Sequence, residues 1–233
     1  GTKDDNSNYK VTSTADLAIN VDLNGRVTIK NLVIESGKGC QRAINIIEKP
    51  AEVTIENVKA NGNFIYAVHV ATSAGSAKVT INNCDLTGLN VVNVAGEGSQ
   101  VTVTNTKLTC NDQNTKESYA ALAICNEAKN ATITANNITF EINGDSVKAS
   151  AGAEYSTITI DGKTDEVQMA VAYISYGNQT AYTFTSLEEA IEVAKDGETI
   201  RLIRDVVLSK ILTINKSITL DGNGYKLTST ADR

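Results

Sequence analysis

The chain has 233 residues, 21 Lys and Arg against 27 Asp and Glu for a net charge of −6, and 41% apolar residues with no Trp. That balance is unfavourable for nucleic acid, because neutralising phosphates needs a basic face, and no run of about 18 apolar residues offers a transmembrane segment. His69 is the single histidine and none of the four cysteines forms a C-x-x-C pair, so the usual zinc sets are incomplete and no metal or cofactor is expected.

Residues 1–10 begin Thr2-Lys3-Asp4-Asp5-Asn6-Ser7-Asn8, a polar run with nothing to bury, and read as a flexible tether. The Lys followed by two acids also resembles the segment after the lipidated cysteine of Bacteroidota surface lipoproteins. That resemblance implies an exported protein, lipid-anchored at the cell surface or outer membrane.

From residue 11 to 165 a short motif recurs. Val27-Thr28-Ile29-Lys30-Asn31, Val53-Thr54-Ile55-Glu56-Asn57, Val79-Thr80-Ile81-Asn82-Asn83 and Val101-Thr102-Val103-Thr104-Asn105 are its clear copies, with weaker ones at Ala131 and Thr157. The starts lie 26, 26, 22, 30 and 26 residues apart. Each copy alternates apolar and polar residues, the period of a strand. A second series runs between them: Ala18-Ile19-Asn20-Val21, Ala43-Ile44-Asn45-Ile46, Ala67-Val68-His69-Val70, Val91-Val92-Asn93-Val94 and Ala121-Leu122-Ala123-Ile124. A helix-free repeat this short cannot bury its own apolar face and must stack on its neighbours. The expected fold is all-β, a parallel β-helix of about six or more coils, with aliphatic columns inside and a Thr column outside.

Asn31, Asn57, Asn83 and Asn105 share one corner. Asn tolerates the left-handed backbone a corner needs, and stacked amides form a ladder, so this column is read as structural. Cys84 falls where other coils carry Leu32 and Val58, so a buried free thiol is expected there. Whether Cys110 and Cys125 pair is left open.

The last unit, residues 166–233, differs. A strand near Val171 and a turn at Gly177-Asn178 lead to Thr185-Ser186-Leu187-Glu188, a capping box with Thr185 as N-cap. A helix over 186–195 then presents Leu187, Ala190, Ile191 and Ala194 on one face, and strands are expected at Thr199–Ile203, Lys210–Ile214 and Ser217–Leu220. The run from Thr185 through Asp205, with Leu212 to Gly224, resembles the opening of pectate-lyase-like right-handed β-helix modules of bacterial surface proteins. In that family a short amphipathic helix caps the amino-terminal end of the solenoid. Here the cap follows the coils, and the chain's last residues, Tyr225-Lys-Leu-Thr-Ser-Thr-Ala-Asp232, repeat Tyr9-Lys-Val-Thr-Ser-Thr-Ala-Asp16. The cap is therefore expected to cover the first coil of its own chain or of a neighbour, with self-association through the exposed end as the alternative.

No catalytic set is legible. The acids are scattered, and the Ca²⁺ cluster of lyases and the Gly-His-Gly segment of hydrolases, which the family resemblance would imply, have no counterpart. His69 reads as an outward rung among Asn20, Asn45, Asn93 and Ala123. The candidate ligand-binding residues are Phe64, Tyr66, His69 and Tyr119, for aromatic stacking on sugar, with Asn111 and Asp112 in the long Cys110–Ser118 insertion. The expected function is a non-catalytic surface protein, an adhesin or scaffold whose partner is a polysaccharide or host glycan. The alternatives are a polysaccharide lyase or glycoside hydrolase, and a purely structural spacer.

Overall fold

β-branched residues alternating with polar ones fit a pleated, half-buried surface, and here each such segment lies against its copy one coil away. The computed structural model describes residues 9–48, 51–111, 119–176 and 179–231. Its first fifteen strands, in chain order, are β1 (Tyr9–Ser13), β2 (Leu17–Asp22), β3 (Arg26–Ser36), β4 (Arg42–Ile47), β5 (Glu52–Asn61), β6 (Tyr66–Val70), β7 (Lys78–Asn82), β8 (Asp85–Gly88), β9 (Val92–Val94), β10 (Gln100–Cys110), β11 (Ala120–Ile124), β12 (Thr132–Ile142), β13 (Val147–Ala151), β14 (Thr157–Ile160) and β15 (Val167–Met169). One parallel sheet stacks β1-β3-β5-β7-β10-β12-β14, with β8 continuing the β7 rung; a second stacks β2-β4-β6-β9-β11-β13-β15. The fold is a parallel β-helix, and its last rung at β15 carries the coils slightly past residue 165.

The pairing register puts Val27, Val53, Val79, Val101, Ile133 and Ile158 in one column, with spacings of 26, 26, 22, 32 and 25. The two late copies thus start at Ile133 and Ile158, not at Ala131 and Thr157. The slip at Ala131 is two residues, which leaves every side chain on its original face, so alternation alone does not reveal it; that at Thr157 is one residue and puts Ile158, not Thr157, on the inward face. The next column, Ile29, Ile55, Ile81, Val103, Ala135 and Ile160, is at most 7% exposed. Together with Ile34, Ala60, Leu86 and Leu108 these residues form the aliphatic interior. Cys84 is buried among them, and all four cysteines are free thiols.

At the corner Asn31, Asn57, Asn83 and Asn105 have φ of 57°, 51°, 52° and 50°, and Asn137 continues the column at 54°. The amide of Asn57 donates to Asn31 (2.9 Å), that of Asn105 to Asn82 (3.0 Å) and that of Asn137 to Asn105 (2.8 Å). Asp161 ends the series by accepting the Asn137 backbone N–H at 2.9 Å.

The carboxy-terminal unit has its own core. It comprises the hairpin β16 (Ala172–Tyr176) and β17 (Gln179–Phe184), helix α1 (Leu187–Val193), β18 (Thr199–Leu202), β19 (Val206–Leu208), β20 (Thr219–Asp221) and β21 (Leu227–Ser229). The N-cap is Ser186, whose Oγ accepts the Glu189 N–H at 3.1 Å, one residue later than expected. Thr185-x-x-Glu188 and Ser186-x-x-Glu189 both match the capping pattern, so the motif alone is ambiguous by one residue. Leu187, Ala190, Ile191 and Ala194 are buried as expected. Lys216 Nζ reaches the Ala194 carbonyl at 2.8 Å, a cation on the helix C-terminus. The 210–214 segment is not a strand; instead β18 pairs with β20 and β19 with β21, both in parallel. These pairs make two stacked coils.

This unit meets its own chain at the last coils of the β-helix, the end opposite the coil it was expected to cover. Arg204 makes the principal junction: Nε donates to the Ala170 carbonyl (3.0 Å), and Nη2 to the carbonyls of Ala153 (3.1 Å) and Ser156 (3.0 Å). Glu154 accepts from Asn223 (3.1 Å) and Tyr225 (3.3 Å), and the Lys129 ammonium beside it holds its carboxyl below the usual range.

Both the corner and the junction can be tested by stability measurements. Asn105→Ala should cost ~2 kcal/mol in chemical denaturation, while Asn105→Gly, which keeps the left-handed backbone and loses only the amide bonds, should cost about half as much. Arg204→Ala leaves three carbonyls without their donor and should weaken the junction by ~2–4 kcal/mol. Hydrogen exchange should then rise in β18–β21 and stay unchanged in β3–β10.

Candidate functional site

The row Asn20, Asn45, His69, Asn93, Ala123, Ser150 and Gln168 runs across the outer face of the second sheet, one residue per rung. It points away from the interior, yet Asn45 and Asn93 are only 4% and 2% exposed. Tyr66, three residues ahead of His69, turns toward the row: its ring stacks on His69, centroids 4.6 Å apart and planes 17° from parallel. Arg42, one coil below, sits 5.8 Å from the Tyr66 ring centre and pairs with Asp16 at 3.1 Å.

The rungs are wired by amides. Asn45 donates to Asn20 at 2.8 Å. Asn93 lies 3.0 Å from His69 Nδ1, and its carbonyl oxygen accepts the Cys125 thiol at 3.3 Å. With the Asn93 oxygen engaged by Cys125, its NH₂ faces the imidazole, so Nδ1 accepts and the ring is the neutral Nε2–H tautomer. Burial pushes His69 down to about 4, and the Arg42 charge adds to the shift. Burial also raises the Tyr66 phenol and the Cys125 thiol, so both stay protonated at neutral pH.

Above this stack the row opens into a cleft of about 330 Å³. Asn90, Asn93, Tyr119, Cys125, Ser150 and Gln168 line it from the β-helix. Thr183, Thr185 and Glu189, from β17 and the start of α1, close it on the other side. Thr183 reaches across to Asn126 at 3.4 Å. The described lining divides between amide, hydroxyl and phenol groups and the aliphatic side chains of Ala120, Ala123, Ile124, Val147 and Ala170, with the Cys125 thiol and one carboxylate. Among the described residues no group of three or more His, Cys, Asp or Glu is placed to hold a metal ion.

The structure brings Tyr66, His69 and Tyr119 to this face. Phe64 is elsewhere: it is 1% exposed and packs in the β-helix core, so its ring is not available to a ligand. Asn111 is half-buried, its N–H bonded to the Gly88 carbonyl at 2.9 Å. Asp112 and the rest of the insertion to Ser118 lie outside the described residues, as do residues 1–8 of the expected tether and the Gly177-Asn178 turn; the last two tether residues, Tyr9 and Lys10, belong instead to β1, paired with β3. Asn90, Asn93, Cys125, Ser150 and Gln168 were not singled out from the sequence as ligand-binding residues. The phase of the second series contains Asn93, and extending it by register supplies Ser150 and Gln168; nothing in the repeat points to Thr183, Thr185 or Glu189.

No family model, curated protein or solved structure matches the chain.

The His69 environment makes a pH prediction. The unfolded chain takes up the imidazole proton near 6.5, the folded chain only near 4. Between these values the unfolded state binds more protons, so stability falls as pH drops through the window, by up to about 3 kcal/mol. His69→Asn, which continues the amide row, should remove that part of the acid dependence in urea titrations while leaving stability at pH 8 within about 1 kcal/mol. An unchanged slope would assign the acid sensitivity to other groups.

Proposed function

We propose that this chain is a non-catalytic, surface-displayed β-helix module that binds a neutral saccharide in the cleft between the amide row and α1. The observation that carries the reading is the lining itself: amides, hydroxyls and the Tyr119 ring interspersed with five small or branched aliphatic side chains, around a volume that falls within the ordinary range of ligand sites. Neutral donors and acceptors beside an aromatic face suit sugar hydroxyls and the apolar face of a pyranose. Display at the surface through a lipid anchor, as an adhesin or scaffold, rests on the resemblance of the first residues to lipoprotein tethers. The kinship with pectate-lyase-like modules rests on residues 185–224.

The lyase or hydrolase reading is weaker on the same geometry. Glycoside hydrolysis ordinarily uses two facing carboxylates, and Glu189 is the carboxylate among the described lining residues. The spacer reading has one observation in its favour, the two further stacked coils that β18–β21 form.

A glycan array followed by NMR titration tests the proposal. Binding of uncharged oligosaccharides should shift the amides of Ser150 and Gln168, without release of reducing or unsaturated sugar. Tyr119→Ala and Gln168→Ala should each weaken binding roughly tenfold, a loss of about 1.4 kcal/mol; Gln168→Ala should leave the unfolding midpoint unchanged, whereas Tyr119→Ala also gives up packing on the β-helix core and should lower it. Product release from any substrate would establish the enzyme reading, and binding insensitive to both substitutions would move the site elsewhere.

A further inference from the structure

The chain carries two copies of one strand and a single seat for it. Residues 225–232 match residues 9–16 at seven of eight positions, Leu227 replacing Val11. The first copy, β1, occupies the seat: Tyr9 to Ser13 pair in parallel with Leu32 to Ser36 of β3, and Lys10 reaches Glu35 at 2.7 Å. Among the described residues no strand lies on its other edge, where β1 ends the sheet. The second copy contains β21, which pairs with β19 on one edge and likewise ends its sheet. The two copies make the same local turn: Ala15 N–H bonds Ser13 Oγ, and Ala231 N–H bonds Ser229 Oγ, both at 3.2 Å.

The burial of the two differs. Val11 is half-buried against the column of Ile34, whereas Leu227, on the inward side of β21 opposite Val206, is 44% exposed. Leu227 has half of its apolar environment and lacks the rung above. β3 provides such a rung, but the chain's own β3 stands at the far end of the ladder, roughly 30 Å away at ~4.8 Å per rung.

We propose that β21 of one copy replaces β1 on β3 of a second copy, so that copies join end to end as one continuous β-helix. Leu227 then lies over Ile34, Lys226 takes the Glu35 carboxylate, and the displaced first residues leave the stack. The pairing that β1 gives up is re-formed by its near-identical replacement, so exchange costs little. The gain is that the seat is filled by a strand paired on both edges, and both open ends are buried.

The full chain tests this, by light scattering and sedimentation over a wide concentration range. The wild type should associate reversibly in a head-to-tail series. Lys226→Glu should weaken association roughly fivefold, the scale of one exposed ion pair. Adding Glu35→Lys to Lys226→Glu should strengthen association beyond wild type, because the cross-copy pair is restored with charges exchanged while Lys10 faces a like charge. Hydrogen exchange should show Lys10–Ser13 amides protected in dilute protein and released on association. A monomer at every concentration for both wild type and double variant overturns the proposal, as does association that is indifferent to Lys226→Glu or that leaves the β1 amides protected.

Discussion

Everything in this molecule depends on the register between neighbouring rungs. A single coil has about two short strands and no interior; its Val and Ile side chains become buried only when the same positions of the next coil lie directly over them. The Asn corner enforces that coincidence. Five residues, Asn31, Asn57, Asn83, Asn105 and Asn137, take a left-handed backbone that most side chains disfavour, and three amide bonds tie members of that corner to the coil below. The corner fixes where each strand ends, and therefore which residues face inward. The 22-residue and 32-residue coils show its tolerance: length is absorbed in the turns while the corner stays aligned.

The same stacking builds the candidate site. Outward positions repeat as faithfully as inward ones, so a polar residue at one phase becomes a row. Its amides bond along the row, Asn45 to Asn20 and Asn93 to His69, and the Tyr66 ring covers part of it. His69 replaces an amide in this series and is held neutral by the burial the row imposes. The carboxy-terminal unit adds the far wall of the cleft, so the site needs both parts of the chain. Arg204, by bonding three carbonyls of the last coils, holds that wall in place.

Much of this was legible from periodicity. The strand repeat, the second series, the Asn corner, the buried Cys84 and the apolar face of α1 all follow from spacing, because in a solenoid like residues stack on like. What escaped had no periodic signature. The slip at Ala131 preserves alternation and so conceals Asn137. The doubled Thr-Ser and Glu-Glu leave the N-cap ambiguous by one residue. Phe64 looks like a surface aromatic beside Tyr66, yet it turns into the core. The position of the final unit on the last coils depends on Arg204 meeting carbonyls of residues 153–170, a contact between a unique residue and backbone groups that carry no sequence signal. The cleft inherits that difficulty, since the wall of Thr183, Thr185 and Glu189 comes from outside the repeat.

The direction of the hydrogen bonds has a mechanical consequence. In both ladders, and in the Asn corner, they run along the long axis of the solenoid rather than across it. A pull applied between the two ends therefore loads the rungs in tension, one after another, instead of shearing many strands together. The terminal rung β1 is held on one edge, so extension should begin there and proceed coil by coil, each step freeing one coil's length of chain. Such a chain yields gradually under load and behaves as an extensible tether rather than a brittle rod.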